Sequence, residues 1–249
     1  DSFPPEKPVN DCPRCGSTLS VIYDFEKISE SLKKEDLGER GSGLTRYREL
    51  LPLEDPVITL GEGGTPVVSS SSIGENLDGD LFFKLEYGNP TGSFKDRGTV
   101  ITVNRAIDWG LSRLADDSSG NAGSSLAGYS AKAGLDCIIY TPEKASGAKI
   151  EQIKSYGAEL VTVPGPREKT TERIVQDTAD SGIYYASHNL SPYFSEGMKT
   201  LAYEISEEFG WEPPEHVLIP VGGGALLVGV YEGFRDLTEL GWIDEIPRI

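Results

Sequence analysis

The chain has 249 residues, with 40 Asp and Glu against 23 Lys and Arg and a net charge of -17. That length buries a real core, as one large domain or two modest ones. So acidic a surface repels phosphate backbones and anionic lipid, which argues against nucleic-acid and membrane-surface binding.

The carboxylates are dispersed along the chain, which reads as salt adaptation, an acidic-proteome trait, ahead of a plain acidic cytoplasmic protein. No apolar run approaches the roughly 20 residues that cross a bilayer, and 1-DSFPPEKPVN-10 lacks a basic-then-apolar leader pattern. The three cysteines, Cys12, Cys15 and Cys137, form no disulfide framework, so a reducing, cytoplasmic compartment is expected.

Residues 1–43 read as an irregular N-terminal extension. Within it 12-CPRCG-16 is half of a zinc ribbon. Zinc takes four ligands, the second pair is absent, and His188 and His216 lie far along the chain. Cys12 and Cys15 therefore read as a degenerate knuckle or a site completed by another chain, and no metal is expected. A hairpin at Leu19 to Phe25 and a polar helix near Lys27 to Asp36 follow. The glycine-rich turn 61-GEGGTP-66 precedes a strand, 81-LFFKLEY-87. The loop 89-NPTGSFKDRG-98 then leads into a helix from Gly98 to Trp109.

The turn 118-SSGNAG-123 opens a helix that Gly134 ends. The run 136-DCIIYT-141 reads as a buried strand with Cys137 in the core. Ala148 to Tyr156 reads as a helix stopped by Gly157, and 159-ELVTVP-164 as a strand. A helix from Glu168 to Asp180 and the short strand 182-GIYYAS-187 come next. An amphipathic helix spans Ser195 to Phe209. The apolar strand 216-HVLIPV-221 leads through 222-GGG-224 to a helix from Ala225 to Leu240.

Strands alternating with helices imply βαβ units and a mostly parallel sheet. Ligands in such folds sit beyond the carboxyl ends of the strands. Three unusual loops fall at strand-to-helix junctions, which points to an α/β enzyme. In GGGALL, backbone N–H groups and the helix dipole suit an anion, phosphate above all. No Lys-Ser/Thr follows, against a nucleoside triphosphate. Leu227 stands where a dinucleotide fingerprint has its third glycine. A lone phosphate on a cofactor fits best, with a ligand-free tight turn as the plain alternative. Lys95 offers an amine that attacks a carbonyl once it is partly desolvated. A phosphate-bearing carbonyl cofactor captured by lysine is pyridoxal phosphate; the plain alternative is a solvated lysine beside Asp96 and Arg97. SSGNAG suits a carboxylate, and Asn121 a cofactor hydroxyl, although Ser118, Ser119 and Asn121 are also ordinary helix caps.

Together these pieces resemble the fold-type II pyridoxal-phosphate enzymes, the tryptophan synthase β-subunit-like superfamily, and within it threonine synthase. The resemblance rests on TRYRELLPLEDP (45–56), LGEGGTP (60–66), KLEYGNPTGSFKDRG (84–98), SSGNAGSSLAGYSAKAGL (118–135), YGAELVTVPG (156–165), PYFSEGMKTLAYEI (192–205) and IPVGGGALLVGVYEGF (219–234), which cover nearly all of residues 44–249. It implies two open-sheet α/β domains with the cofactor between them. The larger comprises 44–84 plus 187–249 and is incomplete at its C-terminal end; the smaller comprises 85–186.

The resemblance also implies roles. Lys95 would hold the cofactor covalently and act as general base. Asn121 would meet the ring hydroxyl. Gly222, Gly223, Gly224, Ala225 and Leu226 would wrap the cofactor phosphate. Ser118, Ser119 and Ala122, within the 118–122 turn, would hold the substrate carboxylate. Lys84 and Arg97 are candidate anion partners. The implied reaction converts O-phospho-L-homoserine and water to L-threonine and phosphate, in a homodimer. About a third of a full-length relative would follow Ile249, including the group facing the pyridine nitrogen. These 249 residues alone are therefore expected to fold poorly or lack turnover.

Three departures bear on the substrate. The asparagine loop reads S-S-G-N-A rather than S-T-G-N-T. In 188-HNLSPYFSEGMKT-200, Phe194 stands where N-S-x-N-P-Y-R-x-E-G-Q-K-T has an arginine expected to bind substrate phosphate. GGGAL replaces G-N-x-G-N, a form closer to related dehydratases and lyases. A threonine or serine ammonia-lyase and a catalytically silent relative are the alternatives.

Overall fold

The computed structural model describes residues 2–70, 73, 79–145 and 147–249. Four strands, β3 (Arg113–Asp116), β4 (Asp136–Pro142), β5 (Glu159–Val163) and β6 (Tyr184–Tyr185), form a parallel sheet in the order β5-β4-β3-β6. Its register sets Asp116 opposite Ile139 and Ala115 opposite Tyr185. The connecting helices are α3 (Asn121–Ala133), α4 (Ala148–Ser155) and α5 (Arg167–Thr178). Cys137 through Thr141 are all buried, as a central parallel strand covered on both faces requires. A separate antiparallel pair joins β1 (Val67–Ser69) to β2 (Phe82–Lys84).

Three longer helices carry the rest: α2 (Lys95–Asp108), α6 (Pro192–Glu208) and α7 (Ala225–Glu239). Pro192 opens α6, where its missing N–H costs nothing. Apolar side chains gather in three clusters. One lies around α2, α3 and the sheet, one among α6, α7 and the N-terminal segment, and one between the sheet and α5.

The strand read over 81–87 keeps only Phe82–Lys84 before a 3-10 turn at Glu86–Gly88, and three further expectations fail outright. No hairpin forms at Leu19 to Phe25. The chain instead pairs Asp11 with Thr18 around the cysteine knuckle, and Asp24 caps the short helix α1 (Phe25–Ser31) through the Lys27 N–H. The helix expected to Asp36 stops at Leu32, whose backbone is extended, and a 3-10 turn covers Lys34–Glu39. Leu32 and Leu37 are both fully buried. Five residues apart on one α-helix they would point to different sides, so the break is what brings both into the core. The run 216–221 forms no named strand. It makes one parallel bridge, His216 to Arg248, and leaves Leu218 89 % exposed. An apolar alternation prepares a segment for pairing, but the ladder needs a neighbour.

Candidate active site

Lys95 is the first residue of α2, three residues earlier than the expected helix start. The early start has a local cause. The buried Asp96 carboxylate turns back and accepts from the Thr91 N–H at 2.7 Å and the Thr91 hydroxyl at 2.5 Å. The Ser125 hydroxyl of α3 donates to the same group at 2.6 Å. Lys149 and Gln152 of α4 both donate to the Thr91 carbonyl, and Asn89 accepts from the Gly63 N–H. The proline–glycine loop is thus clamped from α3, α4 and the GEGGTP turn.

Arg97, two residues on, is fully buried. It donates to Glu86, to Glu204 of α6, and to the hydroxyls of Thr65 and Thr200. Lys84 shares Glu204 at 2.8 Å and donates to the Thr65 carbonyl at 2.7 Å. The two expected anion partners therefore belong to one internal ion cluster.

Lys95 itself has no ion pair among the described residues. It is half-buried, with its Nζ 4.7 Å from the Phe94 ring centroid and 5.4 Å from that of Phe194. Burial lowers the pKa of its amine, and the Asp116 carboxylate partly opposes that. Desolvation of this kind favours the neutral, nucleophilic form of a lysine.

The asparagine loop folds tightly against α3. A Cβ on Gly123 would lie 1.9 Å from the Ser118 carbonyl oxygen, so only glycine fits there. Ser118 and Ala122 are buried, Ser119 is half-buried and Asn121 is exposed. No side chain caps the α3 N-terminus, which opens on Gly120, or the α7 N-terminus, which opens on Gly224 in a left-handed conformation, φ +91°. Uncapped helix starts present free N–H groups to an anion. Gly222 and Gly223 are exposed, and Gly224, Ala225 and Leu226 are half-buried. A Cβ on Gly223 would fall 2.5 Å from Asn189 Oδ1, which ties the glycine loop to the segment before α6.

These groups fit a cofactor carrying an aldehyde and a phosphate: a depressed lysine amine for the first, an uncapped glycine-rich helix start for the second. The pyridoxal-phosphate dependent enzyme family matches residues 58–249. The chain belongs to that family. It is 37 % identical to threonine synthase of Methanocaldococcus jannaschii over 239 residues, covering 94 % of this chain and 59 % of that protein. Identity to threonine synthase of Methanosarcina acetivorans is 32 %, over 96 % of this chain and 58 % of the relative. The chain thus spans less than two thirds of the length of these curated relatives. Among solved structures, cysteine synthase from Entamoeba histolytica aligns with a TM-score of 0.66 at 27 % identity, covering 70 % of this chain and 55 % of that one. The chain is a threonine synthase-like member of the fold-type II group, and pyridoxal 5'-phosphate is its cofactor.

The cysteine knuckle is formed. Gly16 N–H donates to the Cys12 carbonyl and Cys12 N–H to that of Ser17, both at 2.8 Å. Among the described residues no third His, Cys, Asp or Glu joins Cys12 and Cys15. Two residues near Lys95 escaped sequence reasoning. Along the chain Asp116 is one acid among many, and His188 reads only as a distant candidate for zinc. Phe194 was visible as a departure, but not its position against the lysine amine.

Proposed function

We propose that the protein to which this chain belongs converts O-phospho-L-homoserine and water to L-threonine and phosphate. The observation that carries this is the half-buried Lys95 amine at the clamped head of α2, without an ion pair among the described residues, in a chain 37 % identical to a threonine synthase. In this reading Lys95 anchors the cofactor and moves protons at the substrate carbons. The α7 start, with Gly222 to Leu226, holds the cofactor phosphate. Asn121 meets the ring hydroxyl, and the turn of Ser118, Ser119 and Ala122 orients the substrate carboxylate. Bound cofactor supplies the electron sink for carbanion chemistry. The ring would sit between the 85–186 unit, which carries the lysine and asparagine loops, and the 44–84 plus 187–249 unit, which carries the glycine loop. A cytoplasmic homodimer completes the proposal.

A second reading, an ammonia-lyase or dehydratase of serine or threonine, is favoured by Phe194. It puts an aromatic ring beside Lys95 where an arginine was expected for a substrate phosphate. Lys84 and Arg97, already paired with Glu204, offer no spare cation to replace it.

The test uses the full-length protein, wild type beside Lys95→Ala. Wild type is expected to show the visible band of a lysine-bound cofactor, and Lys95→Ala to lose it. A substrate panel then separates the readings. Phosphate release from O-phosphohomoserine supports threonine synthase; 2-oxoacid release from serine or threonine supports the lyase. A cofactor band with no product from either would mark a silent relative.

A further inference from the structure

A buried acid and a half-buried imidazole lie near Lys95 and have no part in that reading. Asp116 ends β3 and His188 follows β6, so the parallel sheet delivers both to its carboxyl edge. Asp116 is 1 % exposed, and its Oδ2 lies 3.5 Å from His188 Nδ1. Asp116 Oδ1 and His188 Nδ1 are both buried without a hydrogen-bond partner among the described residues. They border a cavity of about 10 Å³, lined also by Thr99, Thr102, Ala122 and Phe194. That is on the order of the space one water needs. The Phe194 ring is shared. It lies 5.9 Å from the His188 ring and 5.4 Å from Lys95 Nζ, and the Asp116 carboxylate acts electrostatically on the same amine.

Unpartnered buried polar atoms are costly, and here one lies on each of two neighbouring side chains, Asp116 and His188, close to the one nucleophilic amine of the site. Ser191 Oγ, three residues past His188, is a third such atom. An imidazole backed by a carboxylate is the common arrangement for moving protons near neutral pH, because the carboxylate orients the ring and stabilises its charged form. Phe194 lines the same cavity and lies against both His188 and the Lys95 amine.

We propose that His188, oriented by Asp116, is a second proton-transfer group of the Lys95 site. It takes a proton from a bound water or a substrate atom onto its ring, Asp116 balances the charge, and the proton returns to solvent or product. The proposal rests on Lys95 being the cofactor lysine. It complements that chemistry: Lys95 moves protons at the substrate carbons, and the addition of water releases a further proton that His188 is placed to take. The charged groups around the ring are Asp116 from β3 and, across Phe194, Lys95 from α2. Tyr185 of β6 is nearby: burial first, then the Asp117 and Asp116 carboxylates, raise its hydroxyl above the ordinary value.

The test has two arms in the full-length protein. Without cofactor, the His188 ring signals in NMR are expected to move in Asp116→Asn and in Lys95→Met. Those of His216, whose side chain is 59 % exposed, serve as control. With cofactor, His188→Gln and His188→Asn, the latter restoring the residue of the family pattern, are expected to keep the visible band. Turnover should fall about 100-fold, the acid limb of the rate–pH profile should flatten, and added imidazole should restore part of the rate. Unchanged turnover and pH profile would overturn the proposal, as would loss of the band together with activity, which marks a structural role only. Ring signals indifferent to both neighbours would also overturn it. A wild type with no lysine-linked band would remove the reading of Lys95 itself, a separate outcome from a failure confined to His188.

Discussion

At the residue scale, the site depends on charges spent internally. Arg97 looks like a ligand for an anionic substrate when read along the chain beside Lys95 and Asp96. The fold instead surrounds it with Glu86, Glu204, Thr65 and Thr200. Removing one member of such a buried set leaves the others uncompensated. Arg97→Met is therefore expected to destabilise the protein by about 3–5 kcal/mol, read as a shift in the denaturant midpoint. The same cluster sets a pH dependence. Burial by itself raises the Glu204 carboxyl, but Arg97 and then Lys84 more than reverse this and hold it at about 2, below its ordinary 4.5. A group depressed in the folded state contributes stability above its unfolded value and loses that contribution as pH falls through the folded one. Wild-type stability should therefore drop between about pH 4.5 and 2, and Glu204→Gln should show a shallower drop from a lower starting point. Equal slopes in acid titrations of the two would count against this.

At the element scale, glycine contacts between helices place Lys95. A Cβ on Gly197 of α6 would lie 1.8 Å from the Arg97 carbonyl oxygen, and one on Gly98 of α2 would lie 2.5 Å from that of Phe194. A Cβ on Gly229 of α7 would meet Met198 at 2.3 Å. Three helices are thus stacked at backbone distance, and the head of α2 is pressed onto α6 where Phe194 reaches the lysine. Gly197→Ala should force α2 and α6 apart, lowering stability by about 1–3 kcal/mol and weakening the lysine-linked cofactor band. Gly134→Ala makes a useful control. Its Cβ would enter open space, so it carries only the strain of φ +72° far from these contacts. The helices α2, α3 and α6 were legible as helical segments between turns, although most residues of each are buried and no one-faced repeat marks them. Their close approach was not, since a glycine in a helix reads locally only as a weakness.

At the scale of the whole molecule, a net charge of -17 over 249 residues implies self-repulsion. The melting temperature should rise with added KCl over the range where screening shortens the Debye length from about 30 Å to 10 Å, and a flat response would remove the salt-adapted reading. The sequence alone determined the α/β class, the lysine, asparagine and glycine loops, and the cofactor they suit. Those features are carried by short contiguous motifs whose backbone chemistry is local: NPTGSFKDRG, SSGNAG and GGGALL. Tertiary structure alone decided which charges are free and which are paired. Lys84 and Arg97 are drawn into a cluster with Glu204 more than a hundred residues away, and Asp116 meets His188 only because β3 and β6 are neighbours in the sheet. It also decided that HVLIPV stays nearly unpaired, because a strand exists only through its partner. Side-chain pairing across such distances follows from packing geometry, which no local pattern encodes.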